Sequence, residues 1–295
     1  MGIPESQLET WAKTGSVTQS SDTYQAIKST LDHADAPYHD KSYSIFLQGS
    51  YGNDTNVYKE SDVDIVIRLE QVYYSDTSLL TPPAKQNYDN AFVAATYGWK
   101  DFKPEVLAWL QKKYSGVNEG KKAITIAAGG GRREADVVVS ANFRRYRKNS
   151  NGTDGEYDLG MCFWTTNNSQ IENFPKQHGD NCTTKHKDTT EWFKPVVRIF
   201  KNMRNRMLED LYLEEGVAPS YFIEGLVWNA PNTLFGTTYA QTVGNILDWA
   251  EGANRDELVC ASHLHWLVRD NTYKSWLTVN FDTYLKQVRT FWDDW

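Results

Sequence analysis

Two aspartates, Asp62 and Asp64, stand one residue apart at the head of the run Val63-Asp64-Ile65-Val66-Ile67. The run is rich in β-branched residues and follows turn residues, which predicts a strand rather than a helix. Side chains alternate across a strand, so the two aspartates share a face. Carboxylates on one face repel each other unless a cation sits between them, and hard oxygen ligands of this kind suit Mg²⁺ or Mn²⁺. The plainer alternative is a solvated strand end. Ahead of the pair, in the stretch Gln48 to Leu69, stands Gly49-Ser50. Gly49 lets backbone approach a ligand closely, and Ser50 adds a hydroxyl beside N–H groups that can hold phosphate oxygens. A phosphate cradle and a metal pair then lie together in one stretch.

A third carboxylate is available. Residues Ile124 to Ile126 and Ala135 to Val139 read as the two strands of a hairpin around the glycine-rich segment Ala128 to Arg133. Its three glycines lack the G-K-[ST] ending and the following helix of a phosphate loop, so a plain turn is expected. Asp136 opens the second strand, as Asp62 and Asp64 open theirs. With three carboxylates, two metals about 3.5 to 4 Å apart can activate an attacking hydroxyl and neutralise a departing pyrophosphate. A lone strand-end ion is the alternative for Asp136.

Positive charge to meet a triphosphate has two candidate sources. A helix predicted from Glu191 to Leu211 carries Val197, Phe200, Arg204 and Leu208 on one face and Lys194, Arg198, Lys201 and Asn205 on another. The loop after it delivers Ser220, and Lys201 with Ser220 makes a sensible clamp for β and γ phosphates. The cluster Arg144, Arg145, Arg147 and Lys148, beside Tyr146 and ahead of the polar loop Asn149 to Tyr157, reads either as a solvated turn or as a phosphate-facing patch. His178, Cys182 and His186 recur every four residues, a spacing that binds zinc on a helix. Gly179 and the surrounding turn residues argue against a helix there, and no fourth ligand is evident, so zinc is not expected.

The positioning elements follow the same patterning. Pro4 to His33 reads as helical, Ser44 to Leu47 as a strand leading into Gly49, Gln71 to Lys85 as a mixed stretch broken at Thr81-Pro82-Pro83, and Pro104 to Lys113 as a helix. Beyond Tyr221 the chain reads as helices. The last carries Phe281, Tyr284, Leu285, Val288, Phe291, Trp292 and Trp295 at helical spacing, a stripe expected in the core. The 295 residues suffice for one large domain or two packed ones, partitioned here as 1–190 and 191–295. A net charge of −7 leaves no global nucleic-acid-binding surface, so an anionic substrate must rely on local bases and metals. Three scattered cysteines, Cys162, Cys182 and Cys260, are not a disulfide framework. Without a signal sequence or a run of ~20 apolar residues, a cytoplasmic location with no membrane association is expected.

The Gly-Ser turn followed by D-x-D before a β-branched strand resembles the DNA polymerase β-like nucleotidyltransferases. The wider set F-L-Q-G-S-Y-x-N-x-T-N, S-D-V-D-I-V-I, A-D-V-V-V, F-K-P-V-V-R-I-F-K-N and A-P-S-Y-F-I-E is similar to the bacterial cGAS/DncV-like nucleotidyltransferases, and among them to the clade E, or CdnE, group. That resemblance implies an α+β fold: a polymerase β-like core of mixed sheet flanked by helices, an N-terminal spine helix and a C-terminal helical lobe. It implies two Mg²⁺ ions, replaceable by Mn²⁺, on Asp62, Asp64 and Asp136. Nucleotide contacts fall on Gln48, Gly49, Ser50, Lys201, Ser220 and His186. The implied activity joins two ribonucleoside triphosphates into a cyclic dinucleotide, a second messenger of CBASS antiphage defence that a separate effector protein senses. A monomer with no stable nucleic-acid partner is expected. At the position where uracil-favouring members carry Asn stands His186, so a purine product is at least as well supported. Two other activities share these motifs: addition of one nucleotide to a small molecule, protein or RNA end, and nucleotide binding without turnover.

Overall fold

A computed structural model of the chain describes residues 2–15, 18–58, 62–153, 156–272 and 274–295. Ser16 and Val17 of the expected N-terminal helical stretch, Ser61 of the S-D-V-D run, and Asp154 and Gly155 of the expected polar loop fall outside them. Contacts group the chain into two units, Thr18–Gln48 with Asp62–Phe174, and Met1–Val17 with Gly49–Ser61 and Pro175–Trp295. This grouping cuts across the linear partition at 190/191, because two N-terminal segments join the C-terminal helices.

The first unit is built on seven strands: β1 (Tyr43–Leu47), β2 (Val63–Asp76), β3 (Val117–Glu119), β4 (Ile124–Ile126), β5 (Ala135–Tyr146), β6 (Tyr157–Trp164) and β7 (Gln170–Asn173). Their order is β1-β2-β5-β4-β3, with β6 also on β5 and β7 on β6. β2 and β5 run parallel, and the other pairs are antiparallel. β5 is long enough to pair β4 at its start, as the hairpin reading expected, and β6 from Ala141 to Tyr146. β2 likewise runs on to Asp76, through what sequence read as a mixed stretch, with a register shift between Leu69 and Tyr73. Val63, Ile65, Ile67 and Leu69 form a fully buried row on one face, and Asp64, Arg68 and Glu70 alternate to the other.

Helices α2 (Thr18–Leu31), α4 (Pro82–Ala91) and α5 (Trp99–Lys113) belong to this unit. α5 starts five residues before the predicted Pro104, capped by the Asp101 carboxylate on the Gly98 N–H at 2.9 Å. It buries Trp99, Phe102, Val106, Trp109 and Leu110. The Trp99 indole donates to Val139 O at 2.7 Å, and that of Trp109 to Thr30 O at 2.8 Å, tying α5 to β5 and to α2. The Pro82-Pro83 breaker opens α4, where proline is best tolerated.

The second unit is helical: α1 (Glu5–Trp11), the short α3 (Gly49–Asn53), α6 (Pro175–Asp188), α7 (Phe193–Glu209), α8 (Ser220–Asn229), α9 (Tyr239–Gly252) and α10 (Thr278–Asp294). Its core gathers Phe193, Ile199, Phe200 and Met203 of α7 with Leu226, Ile246, Tyr284 and Phe291 from α8, α9 and α10. The α10 aromatic stripe is core as expected, except that Trp295 is 43% exposed and meets the edge of Trp11. The Glu5 carboxylate accepts the N–H groups of Tyr239 and Ala240, capping α9. All three cysteines are free and buried, and among the described residues no helix is long and apolar enough to cross a membrane.

The stretch expected as helical from Pro4 to His33 holds two helices, α1 and α2, the second starting at Thr18. Gly15 explains the break from the α1 side. Its N–H donates to Asn56 O at 3.2 Å, and a Cβ there would stand 2.8 Å from backbone atoms of Val57 and Tyr58. Gly15→Ala is therefore expected to cost about 1–3 kcal/mol of stability, read as a lower denaturant midpoint at unchanged secondary-structure content.

Candidate active site

The parallel register of β2 and β5 sets Asp64 beside Asp136, Ile65 beside Val137 and Ile67 beside Val139. Neighbouring strands lie about 4.8 Å apart, so the two carboxylates stand side by side on one face. Each is half-buried, between the fully buried Val63 and Ile65 in one strand and Ala135 and Val137 in the other. Thr125, the β4 partner of Asp136, donates its hydroxyl to Asp136 Oδ1 at 2.7 Å and fixes that carboxylate's direction. Asp62 is exposed immediately before β2. The Gln48 N–H donates to Asp64 O at 3.0 Å, fastening the end of β1 to the same point. Its side-chain Oε1 is buried with no hydrogen bond among the described residues. Hard oxygens, held close as like charges and oriented by a hydroxyl, are a donor set that fits a divalent cation.

The three arginines of this unit's basic cluster have internal partners. Arg144 lies over the rings of Tyr73 and Tyr157, Arg145 pairs with Glu172 at 2.9 Å and with Asp76 at 3.6 Å, and Arg147 pairs with Asp158 at 2.6 Å. Of the two readings left open by sequence, the solvated turn fits Arg147 and Lys148, which are exposed beyond the end of β5, whereas Arg144 and Arg145 are half-buried strand residues of β5. The glycine segment is a turn, with Gly130 and Gly131 at positive φ.

In the helical unit, Gly49 has φ +66° and opens α3, a conformation that favours glycine. α7 does not present a solvated basic face. Lys201 is fully buried, its ammonium donating to Thr55 O at 3.0 Å and lying 3.9 Å from Glu224. Arg198 is 7% exposed and donates to Ala12 O and Asp54 O. Sequence periodicity missed this because the partners are carbonyls of distant segments. Arg204 meets Ser220, donating to its hydroxyl at 3.1 Å and to Ala218 O at 2.7 Å. α7 begins at Phe193 rather than Glu191, whose φ of +67° belongs to the preceding turn.

A helix does cross Gly179, against expectation. α6 puts His178 and Cys182 on its buried face, and Gly179 leaves room for Asn53, whose Oδ1 would lie 3.2 Å from a Cβ. His186 is not in that group; its Nδ1 accepts the Lys194 N–H at 3.4 Å, and burial, then the Lys194 charge, holds its pKa down. The third group is Glu224 of α8, with the three ligand atoms within 4.8 Å of one another. The Glu224 oxygens are already engaged by Thr55 Oγ1, by Asn53 Nδ2 at 3.0 Å and by His178 Nε2–H at 3.0 Å, with Lys201 alongside. Burial pushes the Cys182 thiol up, and Glu224 adds to it, which disfavours the thiolate a zinc ion needs. A filled carboxylate beside an ammonium reads as a hydrogen-bonded pin. Thr125, Arg204 and Glu224 are the residues sequence reasoning passed over; only Glu224 left a signal, a lone acid inside the apolar S-Y-F-I-E-G-L-V run.

A mixed sheet carrying this carboxylate pair, together with a separate helical unit, defines a nucleotidyltransferase of the polymerase β-like class. Residues 180–293 match the C-terminal helical domain of cGAS/DncV-like nucleotidyltransferases. A cyclic UMP-AMP synthase of Rhodothermus marinus is 33% identical over 298 residues, covering 100% of this chain and 99% of that protein. The solved structure of the R. marinus CdnE c-UMP-AMP synthase with Apcpp and Upnpp matches with a TM-score of 0.89 at 32% identity, over 99% of this chain and 97% of that one. A cyclic dipurine nucleotide synthase of Elizabethkingia meningoseptica is 30% identical over 90% of this chain and 91% of that protein. The chain belongs to the cGAS/DncV-like nucleotidyltransferases, within the CdnE group. Enzymes of this family are metal-dependent.

The Glu224 pin has a pH signature. Burial alone would raise the Glu224 pKa, but the His178 hydrogen bond, the Lys201 and His178 charges and the Thr55 hydroxyl bring it from 4.5 down to about 2. A carboxylate depressed in the fold stabilises it above the unfolded value, and that contribution is lost as pH falls from 4.5 toward 2. The melting-temperature gap between the wild type and Glu224→Gln is expected to be widest at neutral pH and to close across that acid window. A gap independent of pH would contradict the ionised assignment.

Proposed function

We propose that this enzyme joins two ribonucleoside triphosphates into a cyclic dinucleotide. In each of two steps a ribose hydroxyl oxygen attacks an α-phosphorus, the bond to the pyrophosphate oxygen breaks, the hydroxyl proton is lost and pyrophosphate leaves; the second step closes the ring. The observation that carries this reading is the Asp64–Asp136 register pair, in a chain whose whole length matches a cyclic UMP-AMP synthase.

Asp62, Asp64 and Asp136 are proposed to hold two Mg²⁺ ions, or Mn²⁺ in their place. Such ions lower the pKa of an attacking hydroxyl and neutralise charge on the leaving pyrophosphate. Thr125 keeps the Asp136 carboxylate aimed. Gln48, Gly49, Ser50 and Ser220 are proposed to contact nucleotide. Arg204 holds the Ser220 hydroxyl. Lys201, with no exposed surface, serves by holding the Thr55 carbonyl in the arrangement seen here. The imidazole of His186, its pKa held down by burial and Lys194, is proposed to sit against a base as a neutral hydrogen-bonding group. Relatives named for a UMP-AMP product and for dipurine products lie at 33% and 30% identity, so family membership leaves the base pair open. The product is proposed to act as a second messenger sensed by a separate effector.

Purified enzyme given all four ribonucleoside triphosphates and Mg²⁺ is expected to yield a phosphatase-resistant product of cyclic dinucleotide mass. Linear products, or label on another acceptor, would place it among single-nucleotide transferases; triphosphate binding without turnover would make it an inactive binder. Asp64→Asn and Asp136→Asn are each expected to cut turnover by more than about 100-fold with the fold retained, and Thr125→Val by about 10- to 100-fold, measured as product formed per enzyme. Full activity in Asp64→Asn would refute the metal assignment.

A further inference from the structure

The segment proposed to meet the triphosphate, Gly49 to Thr55, has few residues of its own to hold its shape. α3 is a single turn with no buried residue. The chain then passes through Asp54 at φ +57°, a conformation unfavourable for a non-glycine residue. Its conformation is set from outside, by three helices of the same unit.

α8 supplies Glu224, whose two carboxylate oxygens accept the Thr55 hydroxyl and the Asn53 amide. α6 supplies His178, which donates to the same carboxylate, and Gly179, whose missing side chain makes room for Asn53. α7 supplies Lys201 on the Thr55 carbonyl and Arg198 on the Asp54 carbonyl. Thr55 in turn donates its N–H to Ser50 O at 2.9 Å, carrying the constraint back to the residue proposed to touch phosphate. Thr55 and Asn56 are 0% and 2% exposed, so this end of the segment is anchored while Gly52 and Asp54 are exposed.

We propose that Glu224 is a positioning residue for nucleotide binding: its buried carboxylate, by gripping Asn53 and Thr55, holds Gly49 and Ser50 in the conformation that receives a triphosphate. The inference rests on the assignment of Gly49 and Ser50 to the triphosphate. A carboxylate suits the task better than an amide because all its neighbours here are donors. In Glu224→Gln one oxygen becomes an NH₂ that faces donors and cannot accept from them.

The test uses the full-length enzyme as wild type, Glu224→Gln, Thr55→Val and the double variant. Three quantities are read: peptide hydrogen exchange, binding of a non-hydrolysable nucleoside triphosphate, and KM and kcat. Glu224→Gln is expected to melt cooperatively and to exchange faster in the peptide covering 49–58, while α9 and α10 keep their protection. Triphosphate Kd and KM are expected to rise about tenfold, the loss of one hydrogen bond to a charged group, with a smaller change in kcat. The double variant is expected to be little worse than Glu224→Gln, since both changes cut one link. Thr55→Val carries the same test should Glu224→Gln not fold. Unchanged exchange in 49–58, faster exchange spread evenly over the helical unit, or a fall in kcat at constant KM would overturn the proposal. So would stoichiometric zinc in the purified enzyme that is lost in Cys182→Ser. A wild type that does not bind triphosphate overturns the assignment of Gly49 and Ser50, whereas the exchange pattern reports the Glu224 grip in either case.

Discussion

Two carboxylates on adjacent strands repel, and holding Asp64 beside Asp136 is the constraint that the sheet unit is built to meet. Parallel pairing places residues in register for the whole length from Val63 to Leu69, so the aspartates cannot drift apart without breaking a ladder of buried valines and isoleucines. A slip of β2 by one residue would turn Asp64 toward the core and its apolar row out of it, separating it from Asp136. The hydrophobic row therefore fixes the acidic pair. β4 adds Thr125 from the other side, and β1 adds the Gln48 N–H on the Asp64 carbonyl, so every strand touching the pair contributes to its direction.

The helical unit answers a different problem, keeping irregular backbone in one shape. Three buried charges of that unit, Arg198, Lys201 and Glu224, are spent on residues 12 and 53–55. A buried charge is costly unless its hydrogen bonds are met, and here they are met by main-chain carbonyls and by side chains of the segment being held. Helix α7 thus serves as the core of its unit and as a row of anchors. Its apolar residues face the other helices, and its long basic side chains reach loops that have no regular partners of their own.

In the proposed function the sheet residues take the metal and the turn at Gly49 takes phosphate. The acidic pair proposed to hold metal sits on two paired strands of one sheet. A short, externally braced turn with glycine at positive φ gives backbone that can come close to phosphate oxygens. Relatives at 33% and 30% identity bear the names of different products, a UMP-AMP one and a dipurine one.

The strands that carry the carboxylates proposed for the metal site were legible in the sequence because alternation along a strand is local: D-x-D before Ile65-Val66-Ile67, and Asp136 before Val137, need no knowledge of the rest of the chain. The hairpin around Gly129–Gly131 and the α10 stripe were legible for the same reason. What sequence could not supply was any fact that depends on a distant partner. The basic face of α7 read only as a source of charge for phosphate because the carbonyls of Ala12, Asp54 and Thr55 that accept from Arg198 and Lys201 lie more than a hundred residues away. Gly179 looked like a helix breaker because its reason, the approach of Asn53, is in another element. Glu224 looked like one acid in an apolar helix. Local patterning by itself determined which residues are acidic, which alternate and which are apolar. Only the tertiary structure decided that Asp64 meets Asp136 and that Glu224 grips Thr55, because register between strands and pairing of buried charges are set by contacts across the chain.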